Sequence, residues 1–320
     1  MINNKLNLFL ENNRALKEVN GSLNVNDLII KSNALISTMK NEKIDSGRIN
    51  DALEIIKNKT KMFSICRGTS RMATAITISS EENMEESFNE ILAVYNKLKQ
   101  QFNNNQYLPL AAQIIYNARN RIDTDLAVKK TRQAYDCMKE HHRFLTGHED
   151  IGNAAIIATT SSNLEETFKE IEESYRYLKD NRISSANNIQ SLSHILSLIN
   201  MNLKQKCDTV LNMNSLLKEN KTPLKNYSLP ILGILAFVSD NKKEILDKIT
   251  EVSMKLKKEK GFGNFSLGYD NRNQISASLV AADYIDGMDD YVKESLISNT
   301  NNIALTITIA METAVLASLL

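Results

Sequence analysis

All four histidines of the chain lie between residues 141 and 194, and three of them share one short segment with two carboxylates. Imidazole and carboxylate groups are the side chains that bind divalent metals or transfer protons. One hypothesis is therefore a metal-dependent enzyme with its site in segment 141–150. The metal ligands in that hypothesis are His141, His142, His148 and Asp150.

The spacing within this segment favours a structural role. Adjacent side chains on a helix point about 100° apart, so His141 and His142 cannot both face one metal ion without a loop. Thr146 and Glu149 have the spacing of a capping box, which predicts that a helix begins there. The chain contains neither the HExxH nor the paired ExxH pattern of helical metal sites. We therefore predict no catalytic residue and no cofactor.

Six polar side chains form the set of candidate binding residues. One of them, His194, lies in the apolar segment 192–198, where a neutral histidine hydrogen-bonded to a backbone carbonyl or hydroxyl is the more common case. The glycine-marked segment 260–268 also looks irregular, but no Gly-Lys-Ser/Thr follows it, so we predict a tight turn rather than a phosphate loop. The candidate binding residues are Arg67, Arg71, His148, Glu149, Asp150 and His194.

A repeat of about 40 residues determines which elements position these side chains. Segment 95–99 has counterparts at 135–139 and 175–179, and the pattern continues without its tyrosine at 214–218 and 253–257. A fixed period of this length is typical of stacked helix pairs and is nearer to HEAT-type than to tetratricopeptide repeats. The sequence predicts an all-α fold, a right-handed α-solenoid of about seven HEAT-like helix pairs with capping helices.

The two best copies of the repeat, 83–99 and 163–179, show the second helix of each pair. Phe, Ile, Tyr and Leu recur there at steps of 3, 4 and 3 residues, which places them on one apolar stripe of a helix. Asn83 and Glu86 have the spacing of an N-cap and its partner, and this spacing recurs in later repeats. The first helix of each pair is shorter and richer in small apolar residues, so we expect it to be the more buried.

We predict a single domain whose repeats occupy residues 22–299. Residues 1–21 are predicted to form an N-terminal cap, and residues 302–320 a C-terminal capping helix. Segment 303–320 is the most apolar in the chain, but its length corresponds to only about 27 Å of helix and Glu312 lies near its middle, so we predict no membrane span. The repeats are predicted at 22–60, 63–100, 104–140, 143–180, 182–219, 222–258 and 260–299.

The charged residues are almost balanced, with 39 Lys and Arg against 38 Asp and Glu. A net charge of +1 provides no global field that would attract nucleic acid or anionic lipid. Residues 119–143 are locally basic and follow the acidic residues of 81–90, so nucleic-acid binding through 119–143 stays an alternative. The same alternation of charge also fits recognition of a charged partner or ordinary solvated helix faces.

The cysteines indicate the compartment. Cys66, Cys137 and Cys207 are odd in number and have no CxxC or metal-type spacing, which is typical of a protein in a reducing environment. The apolar run at residues 6–10 is too short for the core of a signal peptide. We therefore predict a cytoplasmic protein.

Four short segments resemble a known family. Segments 63–68, 144–150, 190–194 and 260–268 are similar to the bacterial family called domain of unknown function 4003, and the resemblance extends over roughly residues 20 to 290. The resemblance implies a bacterial cytoplasmic repeat protein, and it implies no activity and no functional residue.

The predicted function is that of a non-catalytic helical-repeat scaffold that binds a protein or a peptide. The motivation is a regular repeat in which no nucleophile, base and oxyanion-binding group are seen to converge. The alternatives are the metal-dependent enzyme at 141–150 and nucleic-acid binding at 119–143. Neither nucleic acid nor a membrane is favoured as a partner, and the sequence makes no prediction of the oligomeric state.

Overall fold

The structure is a computed structural model that describes residues 2–20, 26–62 and 64–288. In these ranges the chain is all-α, with fourteen α-helices, three 3-10 turns and no β-strand, so the predicted fold class is confirmed at this level. The helices are α1 (Ile2–Asn20), α2 (Asp27–Met39), α3 (Ser46–Lys59), α4 (Arg71–Ser79), α5 (Met84–Gln101), α6 (Leu108–Asn117), α7 (Thr124–His141), α8 (Ile151–Thr160), α9 (Leu164–Asp180), α10 (Ala186–Leu196), α11 (Leu203–Glu219), α12 (Leu229–Leu235), α13 (Lys242–Lys258) and α14 (Tyr269–Gly287).

Short, buried helices alternate with longer, amphipathic helices from α4 to α13. The short helix α6 buries nine successive residues from Leu108 to Tyr116, whereas the longer α5 buries only the stripe that includes Phe88, Ile91 and Leu98. Each predicted repeat from 22–60 to 222–258 contains one pair of helices. The expectation that the first helix of each pair is the more buried agrees with these burial patterns.

The apolar anchors that recur every 39 or 40 residues lie in the core. Each has at most 1% of its surface exposed, so each loses nearly all of its contact with water. Complete burial of such a side chain stabilises the fold by about 1.5–3 kcal/mol. The anchors are Leu98, Met138, Leu178, Leu217 and Leu256.

Polar side chains cap the N-termini of the long helices. The Asn83 Oδ1 accepts the Glu86 N–H at 3.2 Å, and the Asn83 Nδ2 donates to the Glu86 carboxylate at 2.9 Å. The same two bonds join Asn241 and Glu244, at 3.2 and 3.1 Å. A cap of this kind contributes about 1 kcal/mol. The caps described for the long helices are Asp45, Asn83, Asp123, Asn202 and Asn241, spaced 38, 40, 79 and 39 residues apart.

Cationic side chains of the long helices bind the carbonyl groups at the C-terminal ends of four short helices. A cation at this end satisfies free carbonyl groups and interacts favourably with the helix dipole. The side chains are Arg48 on Ser79 O at 2.6 Å, Lys130 on Ser161 O at 2.5 Å, Lys206 on Leu196 O at 2.8 Å and Lys242 on Ala236 O at 2.7 Å. Four of the 39 Lys and Arg side chains therefore stabilise helix ends.

The described residues divide into two compact units. The N-terminal unit comprises residues 9–164, and the C-terminal unit comprises residues 2–8 and 165–288. In both units a long helix packs most extensively against the short or terminal helix that follows it, as in α7 with α8 and α13 with α14.

Helix α1 contributes residues to both units. In the N-terminal unit the buried Asn12 donates to Glu42 O at 2.9 Å and accepts the Ile44 N–H at 2.9 Å. In the C-terminal unit Lys5 forms an ion pair with Asp286 at 2.6 Å. The role of residues 1–21 as a cap stays a prediction, and the predicted helix 302–320 lies outside the described residues.

None of the described helices is long and apolar enough to cross a membrane. The apolar segment 303–320 lies outside the described residues, so this finding does not extend to it.

Candidate functional site

The histidine-rich segment is the connection between α7 and α8. His141 is the last residue of α7, and the His142 N–H donates to Met138 O at 2.8 Å as the helix ends. Residues His148–Asp150 form a 3-10 turn that leads into α8. His141 and His148 are exposed, whereas Asp150 is buried. The chain therefore directs the imidazoles and the Asp150 carboxylate to different environments.

The predicted capping box of Thr146 and Glu149 is wrong by one residue. The Gly147 N–H donates to Asp150 Oδ2 at 2.9 Å, and the Asp150 N–H donates to Gly147 O at 3.2 Å. The Thr146 hydroxyl donates instead to Met138 O at 3.1 Å, so it closes the end of α7.

The Asp150 carboxyl is held in an apolar environment. Burial raises the pKa of Asp150 to about 7, and the neighbouring Glu149 carboxylate adds to this rise. The hydrogen bonds from the Gly147 N–H and the Asn153 side chain favour the charged form and limit the rise, as does the Lys139 ammonium group. A carboxyl with such a pKa can transfer protons, but here both of its hydrogen bonds are made within the α8 N-terminus.

We expect the free energy of unfolding of Asp150→Asn, measured relative to that of the wild type, to be about 2–3 kcal/mol higher at about pH 8 than at about pH 5. Because the pKa of Asp150 is raised in the folded protein, its contribution to stability is greatest at low pH, where the carboxyl is protonated in both the folded and the unfolded protein. This contribution falls as the pH rises from about 4 to about 7, because the unfolded protein loses the proton first. Asparagine does not ionise, yet its Oδ1 can still accept the Gly147 N–H.

Urea unfolding of both proteins at the two pH values measures this difference. Asp125→Asn is the control, because Asp125 is exposed in the first turn of α7 and forms an ion pair with Lys97. Equal pH dependence for wild type and Asp150→Asn would show that the carboxyl ionises normally in the folded protein.

The structure does not assemble the proposed metal ligands. Within the part of the chain that the structure describes, no three His, Cys, Asp or Glu side chains come close enough together to bind a metal ion. The four proposed ligands thus lie near one another in sequence but do not form a coordination centre. They are His141, His142, His148 and Asp150. The geometry gives no support to the metal-dependent alternative at 141–150.

The three cysteines are also poor candidates for nucleophiles. Cys66 and Cys207 are buried, Cys137 is half-buried, and all three are free thiols. Burial raises the pKa of each thiol above its ordinary value. Because the thiolate is the reactive form, this shift lowers their reactivity at neutral pH.

Arg67 stabilises the C-terminal end of α3. It ends the 3-10 turn Ile65–Arg67, and its Nε donates to the Thr60 hydroxyl at 2.9 Å. Its Nη2 donates to the carbonyl groups of Lys57 and Thr60. All of these acceptors belong to the last turn of α3 or its cap, so the guanidinium group already has its partners within the protein.

Arg71 differs from Arg67 in having no such partners. It is the first residue of α4 and is half-buried, and among the described residues its side chain makes no hydrogen bond and no ion pair. Burial and the nearby Arg67 guanidinium lower the pKa of Arg71 below its ordinary value. Of the six candidate binding residues, Arg71 is a cation still available to a ligand.

His194 lies apart from the other candidates, on α10 in the C-terminal unit. It is 2% exposed, and its backbone carbonyl accepts the Ser197 hydroxyl at 2.8 Å. The candidate residues therefore occupy three separate places. His148, Glu149 and Asp150 share one turn, Arg67 and Arg71 flank the start of α4, and His194 is in a buried helix.

The glycine-marked segment 260–268 is held by a residue that sequence analysis missed. The buried Arg272 of α14 donates to Phe262 O at 3.1 Å, to Asn264 Oδ1 at 2.9 Å and to the Ser253 hydroxyl at 3.3 Å. Gly261 and Gly268 have φ of 87° and 82°, which confirms the predicted need for glycine in this turn. The available signal was the single arginine of α14, four residues after Gly268.

Ion pairs between neighbouring helices account for part of the predicted charge alternation. Glu85 at the start of α5 pairs with Lys59 of α3 at 2.5 Å, and Asp125 at the start of α7 pairs with Lys97 of α5 at 2.6 Å. Glu81 pairs in the same way with Arg119, at 3.3 Å. Acidic helix starts thus face basic segments of the same protein.

A cavity of about 390 Å³ opens in the N-terminal unit between α2, α3 and α4. Its polar rim includes the Ser80 hydroxyl, which lies 3.3 Å from Glu42 Oε2, and its lining contains no histidine or cysteine. Sequence analysis did not identify this site, because its residues come from the ends of three helices. The lining residues are Ser37, Glu42, Lys43, Ile44, Asp45, Arg48, Ile76, Ser79 and Ser80.

Comparison with known proteins places the chain in a family. The family model described as "Protein of unknown function (DUF4003)" matches residues 14–314, a wider range than the four resembling segments indicated. Neither the curated proteins nor the solved structures include a match. Because the matched range is most of the sequence, the chain belongs to the DUF4003 family.

Proposed function

We propose that this protein is a non-catalytic scaffold that binds a protein or peptide partner in the bacterial cytoplasm. In this proposal the helix pairs stack as HEAT-like repeats with a period of about 40 residues and form a right-handed α-solenoid. The alternation of buried and amphipathic helices and the regular N-caps support the repeat arrangement.

One observation carries the functional proposal. Two of the six candidate binding residues hold helix ends together. Asp150 accepts the Gly147 N–H, and Arg67 donates to carbonyl groups of α3. Groups committed to such bonds are poorly placed to bind and transform a substrate. A partner can instead bind to the protein surface or in a cavity.

The cavity between α2, α3 and α4 is the proposed binding site. Its volume falls within the range of about 300–1,000 Å³ that is typical of ligand pockets. Ile44 and Ile76 contribute apolar side chains to its lining, and Glu42 and Lys43 contribute charges of both signs. This chemistry fits a peptide segment with one apolar side chain and flanking charges.

The basic segment 119–143 supports nucleic-acid binding less well. Arg119 is paired with Glu81 and Glu90, Arg132 is paired with Asp136, and Lys130 binds the carbonyl group of Ser161. A phosphate backbone would have to compete with these partners. We therefore place the protein or peptide partner first.

Co-purification of the full chain from its native host tests the proposal. Ser80→Trp should block the cavity rim and reduce recovery of a reproducible partner at least about tenfold, a loss of binding that corresponds to about 1.4 kcal/mol. Ser215→Trp is the matched control, because Ser215 is exposed on α11 and lies in the C-terminal unit. The proposal fails if no reproducible partner is found, or if both variants retain the partner equally.

A further inference from the structure

Both cationic side chains in the lining of the cavity between α2, α3 and α4 already have partners. Lys43 forms an ion pair with Glu11 at 3.0 Å. Arg48 donates from Nε to Ser79 O at 2.6 Å and from Nη2 to Glu81 O at 2.7 Å. An anionic ligand in the cavity would therefore compete with acceptors that belong to the protein.

One of the two carboxylates in the lining is also committed. Asp45 Oδ1 accepts the Gly47 N–H at 2.8 Å and the Arg48 N–H at 3.2 Å, so Asp45 is the N-cap of α3. This carboxylate offsets the partial positive charge at the start of α3. The start of α3 thus offers little attraction to an external anion.

The second carboxylate in the lining, on Glu42, has no cationic partner. Its Oε2 lies 3.3 Å from the Ser80 hydroxyl, and the same hydroxyl lies 3.4 Å from Ile76 O, so two acceptors share one proton. Over the ranges that the structure describes, the half-buried Glu42 side chain forms no ion pair. A carboxylate that has lost part of its water is stabilised by a cation that donates hydrogen bonds to it.

The helix ends around the cavity add partial negative charge. Ser37 lies in the last turn of α2, and Ile76 and Ser79 lie in the last turn of α4. The C-terminal end of a helix carries the equivalent of about half a negative charge. Arg48 offsets this charge at α4, whereas neither cation of the described lining binds a carbonyl group of α2. The electrostatics of the cavity therefore favour a cationic ligand.

The backbone that carries Glu42 is held from both sides. The Glu42 N–H donates to Ser37 O at 2.9 Å, and Glu42 O accepts the Asn12 Nδ2 at 2.9 Å. Asn12, which is fully buried, also accepts the Ile44 N–H at 2.9 Å. The position of the carboxylate is thus fixed before a ligand arrives, which lowers the entropic cost of binding.

We propose that the cavity binds a lysine side chain of the peptide partner, with the lysine ammonium group on the Glu42 carboxylate. The aliphatic part of the lysine packs against Ile44 and Ile76. A divalent metal ion fits less well, because it needs several oxygen ligands and Glu42 is the one uncommitted carboxylate of the described lining. This inference rests on the proposed function and names the part of the peptide that enters the cavity.

Amide NMR titration of the full chain with three pentapeptides tests this inference. The probes are Gly-Gly-Lys-Gly-Gly with both ends blocked, the same peptide with an acetylated lysine, and the same peptide with glutamate in place of lysine. The lysine peptide should shift the Ile44 and Ser80 amide resonances, and its affinity should fall as salt increases. The acetylated peptide should bind at least about tenfold more weakly, because it lacks the charge.

Variants of Glu42 assign the effect to this carboxylate. Glu42→Gln should weaken binding of the lysine peptide at least about tenfold, whereas Glu42→Asp, which keeps the charge, should weaken it less. Glu140→Gln is the matched control, because Glu140 is exposed on α7, which contributes no residue to the lining. Thermal melts and the amide spectra establish that each variant is folded.

Four outcomes would overturn the inference. They are no shift at Ile44 or Ser80 with millimolar lysine peptide, equal affinity for the acetylated peptide, tighter binding of the glutamate peptide, and unchanged binding to Glu42→Gln. Co-purification separates this failure from failure of the proposed function. If Ser80→Trp loses the native partner and Glu42→Gln retains it, the cavity binds a partner but not through a lysine.

Discussion

Lys206→Ala is expected to lower the free energy of unfolding by about 3–5 kcal/mol. The Lys206 side chain is fully buried, donates to Leu196 O at 2.8 Å and forms an ion pair with Glu170. Alanine would leave Glu170 without its cation and would remove one of two donors from the Leu196 carbonyl group, which keeps the Ile199 N–H at 3.2 Å. It would also leave a cavity where the lysine chain packs.

Urea unfolding at neutral pH measures this effect, and Lys204→Ala is its matched control. Lys204 lies two residues away on α11 and pairs with Asp208, but it is exposed, so its loss should leave the free energy of unfolding close to that of the wild type. A loss below about 1 kcal/mol for Lys206→Ala would mean that water replaces the ammonium group and that the α10 end is more accessible than the structure shows.

The pH dependence of stability offers a second measurement on Lys206. Burial lowers the pKa of this ammonium group to about 8 from an ordinary value of 10.5. The folded state therefore releases the proton before the unfolded state does. The contribution of Lys206 to stability is smallest below about pH 8 and increases as the pH rises towards about 10.5. Lys206→Ala should lack this increase.

Arg272→Ala is expected to lower the free energy of unfolding by about 3 kcal/mol. The Arg272 guanidinium is buried and binds three acceptors, on Ser253, Phe262 and Asn264. Loss of the side chain removes these three charge-assisted bonds, which hold Ser253, Phe262 and Asn264 to α14. The segment 260–268 should then open more often, because its link to α14 is lost.

Two measurements test the role of Arg272. Chemical unfolding gives the total loss, and hydrogen exchange should show faster exchange of the Leu267 N–H, which is bonded to Gly263 O at 3.1 Å. Arg272→Lys keeps the positive charge but lacks the planar guanidinium group that binds several acceptors at once. It should therefore be more stable than Arg272→Ala but less stable than the wild type. Lys257→Ala, an exposed change on α13, is the control. Unchanged exchange at Leu267 in Arg272→Ala would contradict the proposed clamp.

Much of the helical framework could be predicted from sequence because it depends on short-range periodicity. The anchors at Leu98, Met138 and Leu178 lie in the core, as their spacing indicated, because residues three and four apart share one helix face. Asn83 and Asn241 cap their helices, because an N-cap and its partner are only three residues apart. Four short segments also resembled the family that the match over 14–314 confirms.

The candidate site was less predictable because its chemistry depends on partners from other elements. Arg67 and Arg71 are four residues apart and were grouped by sequence, yet only Arg67 reaches the carbonyl groups of α3. Thr146 and Glu149 had capping spacing, but Thr146 turns to Met138 and the cap forms at Gly147 and Asp150. Each outcome is a choice between acceptors that only the folded chain brings within reach.

The sequence by itself determined the helical class, the period of about 40 residues, the anchors and the caps at Asn83 and Asn241. Only the tertiary structure decided which charged groups are buried and what they bind, as with Lys206 at the end of α10 and Arg272 behind the glycine-marked loop. The physical reason is the range of the interactions. Helix periodicity and capping act over three or four residues, whereas loss of water around a charge depends on every element that packs against it.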